Sequence, residues 1–351
     1  MTASTRLAAE GVIAGAVLQA ARRTASLTQE DLAEASGVAV DTVKRWENGQ
    51  RPLGRVKSAD LARLQRQLRQ LGARPALLAS MLAAVDADEF TARAVSGDCS
   101  LLATEVTTRQ WSALIAWAVT GRAPAEARDV APGRPLLSTG ERDAFLTSIR
   151  TAAERAAGMR GDLLLRHQAY YLAALDTSPE GRAWLADAAR AEVPRLRLNG
   201  KWSPDWAVAR SLTIAVACQG DPGPLRSFIR DHIDDPGCDD ANLAYWAYWT
   251  GADPVPASGE EFMIERRLDT VRAGALLGHL AASLSGALPY AELSVESARS
   301  LLRRWPALVQ RDAGVAADLA GKAARILDDG SLPAAARPAL SDLHFTARGA
   351  A

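Results

Sequence analysis

Val40, Asp41, Lys44 and Arg45 lie on the outer side of a short helical pattern, while Val43 and Trp46, three residues apart, turn the other side inward. The outer set combines apolar groups, a carboxylate acceptor and two cationic donors on one solvated face. A short helix with such a face is shaped to fill a groove, and the pattern predicts a helix that enters DNA. Elsewhere in the 351 residues no catalytic constellation stands out. There is no nucleophile elbow, phosphate-binding glycine loop, dinucleotide fingerprint or His-Glu-x-x-His motif. His167, His232, His279 and His344 are scattered and read as ordinary helix residues. Cys99, Cys218 and Cys238 have neither metal-ligand nor redox spacing and read as thiols in a reducing cytoplasm. No cofactor, metal or enzymatic activity is expected.

Positioning that face takes two helices and a tight turn. Thr28 is placed to cap the first helix, with Asp31 three residues on as its acidic partner, and Leu27 and Leu32 have hydrophobic-staple spacing around the cap. Ala33 is small where two helices cross closely. Gly37 stands where the turn favours positive φ. A preceding helix is expected over about residues 10–24, with Leu18 and Ala21 inward. A following helix carries Leu61, Leu64, Leu68 and Leu71 at helical spacing and stops at Gly72 and Pro75.

The segment from Leu27 to Gly49 resembles the Cro-type repressor family, also called the XRE family. The resemblance rests on Leu27-Thr28-Gln29, Leu32-Ala33, Gly37-Val38, and Val43 with Arg45-Trp46-Glu47-Asn48-Gly49. It implies that the second helix of the motif lies in the major groove, with Ala39, Val40, Asp41, Lys44 and Arg45 at the base edges. In those roles Ala39 and Val40 meet thymine methyls, Asp41 accepts from cytosine, and Arg45 or Lys44 donates to guanine. Asp41 serves equally well as a charge at the positive end of the helix dipole. Gln29 matches a phosphate-contacting position, Asn48 and Gln50 match exit-loop positions that hold the DNA backbone, and Thr42 is a further phosphate candidate. Ala39 stands where the family usually has a capping Ser or Thr, a loss of about 1 kcal/mol. Ser26 stands where Gly is commoner.

Hydrophobic residues make up 48% of the chain and charged residues 23%, the profile of a soluble globular protein. No apolar run is long enough to span a bilayer, and the N-terminus lacks the order of a secretory signal. A net charge of zero hides an asymmetry: through Pro75 there are 12 basic and 7 acidic residues, leaving 29 and 34 for the rest. A basic head on an acidic body suits phosphate contact by the head alone. Arg51 opens a basic stretch after the motif and joins the candidate DNA contacts. The later arginines of that stretch read as a solvated face.

The fold class expected is all-α: a lambda-repressor-like helix-turn-helix domain over 1–75, a helical segment over 76–122, a Pro/Gly-rich linker over 123–140 and an all-helical dimerisation or sensor domain over 141–347. The head over 1–75 is expected to fold by itself. Helices in the body are expected after Ser203-Pro204, an N-cap with proline at the first position, and around Leu243–Trp249, Ile264–Leu284, Val295–Leu302 and Leu319–Leu327. An α-solenoid is one arrangement of such helices, although no strict repeat period is present. Tyr245-Trp246-Ala247-Tyr248-Trp249 reads chiefly as buried core. The alternative is an aromatic pocket that, with Asp231, Asp234, Asp235, Asp239 and Asp240 upstream, receives a basic peptide or cation.

The function expected is a cytoplasmic, sequence-specific transcriptional regulator. Its partners are double-stranded DNA, a second copy of the chain, and a protein or small-molecule effector on the helical body. The alternatives are an antitoxin-like regulator whose body binds a protein, and an enzyme carrying a DNA-binding head.

Overall fold

Among the described residues helix follows helix and no strand occurs. The computed structural model describes residues 9–104, 107, 109–157, 162–199, 201–233, 236–253, 267–284 and 288–349. It divides into two units: Met1–Leu101 with Arg109–Ala152, and Leu102–Thr108 with Ala153–Ala351.

Unit 1 contains α1 (Val12–Thr24), α2 (Gln29–Ser36), α3 (Val40–Glu47), α4 (Ser58–Gln70), α5 (Pro75–Ala79), α6 (Met81–Val95) and α7 (Arg109–Thr120). Helix α8 (Thr139–Ala156) belongs to it through Ala152. The core of α1, with Ile13, Val17 and Leu18 fully buried, packs against α6 as well as α3. Phe90 of α6 anchors the far side, 5.1 Å from Trp111 and 5.9 Å, edge on, from Phe145. The stretch 123–140, expected to be a linker, packs into this unit. Ala127 and Leu137 are buried, and Leu136 and Leu137 each donate a backbone N–H to Ala118 O at 3.1 Å. Arg74 forms a fork on Asp129 at 2.5 Å for both bonds. Prolines and glycines set turns in this stretch. Two isolated apolar anchors hold it down without producing a periodic signal.

Unit 2 contains α9 (Leu163–Ala173), α10 (Pro179–Glu192), α11 (Pro204–Cys218), α12 (Gly223–His232), α13 (Pro236–Thr250), α14 (Ala273–Ser283), α15 (Ala291–Arg304), α16 (Leu308–Arg311), α17 (Ala313–Asp329) and α18 (Arg337–Arg348). Ser203 caps α11 by accepting from Trp206 N, with Pro204 at the first position as expected. Its helices pack largely as neighbours in sequence, α11 on α12, α14 on α15 and α17 on α18, with α9 also on α11. The helix expected over Ile264–Leu284 begins at Ala273. Arg272 N donates instead to Ala252 O at 2.9 Å, and residues 254–266 lie outside the described set. Among the described residues no helix is long and apolar enough to cross a membrane.

Candidate nucleic-acid interface

The turn between α2 and α3 is built from local hydrogen bonds. Thr28 Oγ1 accepts from Asp31 N at 3.0 Å, and Asp31 Oδ2 accepts from Thr28 N at 2.8 Å, closing the capping box. The Thr28 side chain, followed by its backbone N–H, holds the Asp31 carboxyl below its ordinary range. Gly37 ends α2 at φ 67°, and Val38 N returns to Ala33 O at 3.0 Å. Ser26, at φ 57°, adopts the left-handed geometry for which Gly is the commoner residue. Ala39 precedes α3 without a side-chain cap.

Helix α3 divides as its sequence requires. Val43 and Trp46 are buried; Ala39, Asp41, Lys44 and Arg45 are exposed; Val40 is half-buried. Asp41 and Arg45 form an exposed ion pair at 2.7 Å, one helical turn apart. Thr42 is half-buried and lines a groove of about 430 Å³ with Ala39, Trp46, Arg51, Lys57 and Arg63.

Glu47, at the inner end of α3, ties three helices together. It accepts from Arg22 Nε at 2.6 Å and Nη2 at 3.0 Å, and from Gln29 Nε2 at 2.7 Å. Arg22 also donates to Leu27 O at 2.6 Å, beside the start of α2. Gly15 lets α1 approach this junction: a Cβ there would lie 2.5 Å from Trp46 O and 2.6 Å from Glu47 O. A second support comes from α6. Asp88 accepts from Ile13 N at 2.7 Å and Ala14 N at 2.8 Å, so it caps α1, whose own N-cap is Gly11. Glu47 carries part of the sequence resemblance, but its pairing with Arg22 and the cap from Asp88 are not legible in the sequence, because neither an ion pair nor a cap across tens of residues leaves a spacing signal.

A family model described as helix-turn-helix matches residues 18–72. Those residues form an XRE-type DNA-binding domain. No curated protein and no solved structure matches the chain.

Within the XRE-type domain, the remaining candidate residues sit around the ends of α2 and α3. Gln29 is half-buried and gives one hydrogen of its amide to Glu47, which leaves the other for an outside acceptor. Asn48 is exposed and accepts from Gln50 N at 3.0 Å, while Arg51 N donates to Arg45 O at 2.9 Å. These bonds fix the exit loop with the Gln50 and Arg51 side chains exposed. Arg55 is engaged with Glu10 at 2.8 and 2.7 Å.

In unit 2 the aromatic helix is partly core. Tyr245 and Tyr248 are buried, whereas Trp246 and Trp249 are half-buried. Tyr245 OH meets Ser211 Oγ at 3.0 Å and also His167, which burial pushes down to about 3 and so keeps neutral. The arrangement that would receive a basic partner is not present among the described residues. Arg210 already lies over the Tyr245 ring, Asp239 and Asp240 pair with Arg303 and Arg304, and Asp231 pairs with Arg230. Asp234 and Asp235 lie outside the described residues. No group of three or more His, Cys, Asp or Glu among the described residues could hold a metal ion.

Proposed function

We propose that the protein is a sequence-specific transcriptional regulator that binds as a homodimer and reads the major groove with α3. The observation that carries this reading is the exposed outer face of α3, supported from behind by the buried Arg22–Glu47–Gln29 junction. Lys44 and Arg45 are the guanine donors, Ala39 and Val40 the methyl contacts, and Asp41 the acceptor. The Asp41–Arg45 pair is no obstacle. An exposed pair of this spacing is worth about 0.3–0.5 kcal/mol, less than one bidentate guanine contact at about 1–3 kcal/mol. Gln29, Thr42, Asn48, Gln50 and Arg51 hold phosphates and set the register. The helical body from about residue 141 supplies the dimer contact and receives an effector, a cytoplasmic and non-enzymatic role. Two half-sites then face recognition helices separated by about 34–36 Å or a multiple of it.

The test is binding-site selection from random duplexes with full-length wild type, Arg45→Ala and Gln29→Ala. Wild type is expected to enrich a two-fold symmetric site. Arg45→Ala should lose discrimination at one base pair of each half, about 1–3 kcal/mol, whereas Gln29→Ala should weaken binding to all sequences alike. An unchanged selection profile for Arg45→Ala removes Arg45 as a reader. Sedimentation of the protein with its selected site as a single copy per DNA overturns the dimer.

A further inference from the structure

Three arginines are buried among the described residues, and two of them meet a glutamate. Arg22 forms a fork on Glu47, and Arg166 pairs with Glu192. Arg210 of α11, the most deeply buried of the three at 3% exposure, has no carboxylate partner among the described residues. Its Nε donates to Asn242 Oδ1 at 2.9 Å. Its guanidinium carbon lies 4.4 Å from the centroid of the Tyr245 ring and 5.4 Å from that of Trp246. The two terminal nitrogens make no hydrogen bond among the described residues.

The surroundings orient this guanidinium without neutralising it. Ser297 Oγ of α15 donates to Leu293 O at 2.6 Å, which leaves its lone pairs for Asn242 Nδ2 at 2.8 Å and Trp246 Nε1 at 2.9 Å. Asn242 is thereby held with Oδ1 toward Arg210, and the indole of Trp246 is held alongside. Asn242 and Ser297 are fully buried. Aromatic faces attract a cation but carry no net negative charge. Burial pulls Arg210 down to about 10, which still leaves it charged at neutral pH. A buried charge with no counter-ion is a costly arrangement for a fold to keep, and a planar fork with two uncommitted donors is matched to an oxyanion.

We propose that Arg210 is the receptor of a small-anion site in unit 2, binding a carboxylate or phosphate group through its terminal nitrogens, with Tyr245 and Trp246 as the aromatic wall. The half-buried Trp246 offers apolar surface to the remainder of such a ligand. The site is the reverse of one for a basic partner, because the cation on the rings belongs to the protein. It involves no residue of the DNA-binding domain, so it stands or falls independently of the DNA reading.

The test is thermal unfolding of the full-length protein in millimolar inorganic phosphate or acetate, with ionic strength balanced by fluoride. Wild type should show a saturable rise of the midpoint with at least one probe, roughly 5–10 °C at a hundredfold excess over Kd. The probe that acts tells whether phosphate or carboxylate is the preferred group. Arg210→Met should lose the response. Asn242→Asp, which places a carboxylate against Nε, should raise the midpoint without added anion and also lose the response. No saturable rise in wild type with either anion overturns the proposal. So does a rise in Arg210→Met or Asn242→Asp as large as in wild type.

Discussion

Asp88 is the residue whose removal should show most plainly what holds the DNA-binding domain together. It is 4% exposed and supplies the acceptors for two N–H groups at the start of α1, where Gly11 has no side chain to offer. Asp88→Ala leaves both donors buried and unpaired, at about 1–3 kcal/mol each, and relieves part of that loss by removing a desolvated carboxyl. The expected net destabilisation is roughly 2–4 kcal/mol. It should appear in urea unfolding and as faster hydrogen exchange at Ile13 and Ala14. The carboxyl adds a pH signature. Burial lifts it to about 7 from 3.8, although N–H groups of Ala14, Ile13 and Gly11 pull the other way. Between those values the folded state binds more protons than the unfolded one, so this site's stability contribution is fully present below about 4. It declines as pH rises through about 7. At about 1.36 kcal/mol for each tenfold change in proton affinity, the decline is of the order of 4 kcal/mol. Asp88→Asn cannot titrate and should lack it. Equal pH dependence of wild type and Asp88→Asn between pH 4 and 7 would refute the reasoning.

Glu47→Ala should cost about 3–5 kcal/mol in urea unfolding, because it strands the buried Arg22 guanidinium and releases Gln29. Gly15→Ala should destabilise the domain by about 1–3 kcal/mol through overpacking, read as a lower melting temperature, since its Cβ would strike the carbonyls of Trp46 and Glu47. A fragment of residues 1–75, expected from its sequence to fold alone, lacks both the Asp88 cap and the α6 surface under α1. It should be largely unfolded by circular dichroism where residues 1–152 are helical.

What was legible in the sequence is local. The Thr28–Asp31 box, the left-handed Gly37 and Ser26, the uncapped Ala39, the two faces of α3 and the Ser203-Pro204 start of α11 all depend on residues within one or two turns of each other. The supports of the same site are not local. Glu47 lies 25 residues from Arg22, and Asp88 lies 75 from Ile13. Each reads in isolation as one more charged residue on a helix. Helices α10, α12, α16 and α18 are not among the expected helices, although Leu225 and Phe228 in α12 and Leu340 and Leu343 in α18 stand at helical spacing on buried faces.

The aromatic helix shows how charge must be read with its partners in place. Five aspartates upstream of two tyrosines and two tryptophans suggest, along the chain, acceptors and ring faces awaiting a cation. In space two of these acceptors are taken from a distance: Arg303, 64 residues away, occupies Asp239, and Arg304 occupies Asp240. The ring faces are taken by Arg210, which sits inside an apolar run of α11 where its charge carries no periodic signature. Of the three buried arginines among the described residues, Arg22 and Arg166 meet a glutamate and Arg210 meets no acid. The local pattern singled out this helix, but the cation over its rings is the protein's own, brought from α11 more than thirty residues away, a pairing that no window of sequence displays.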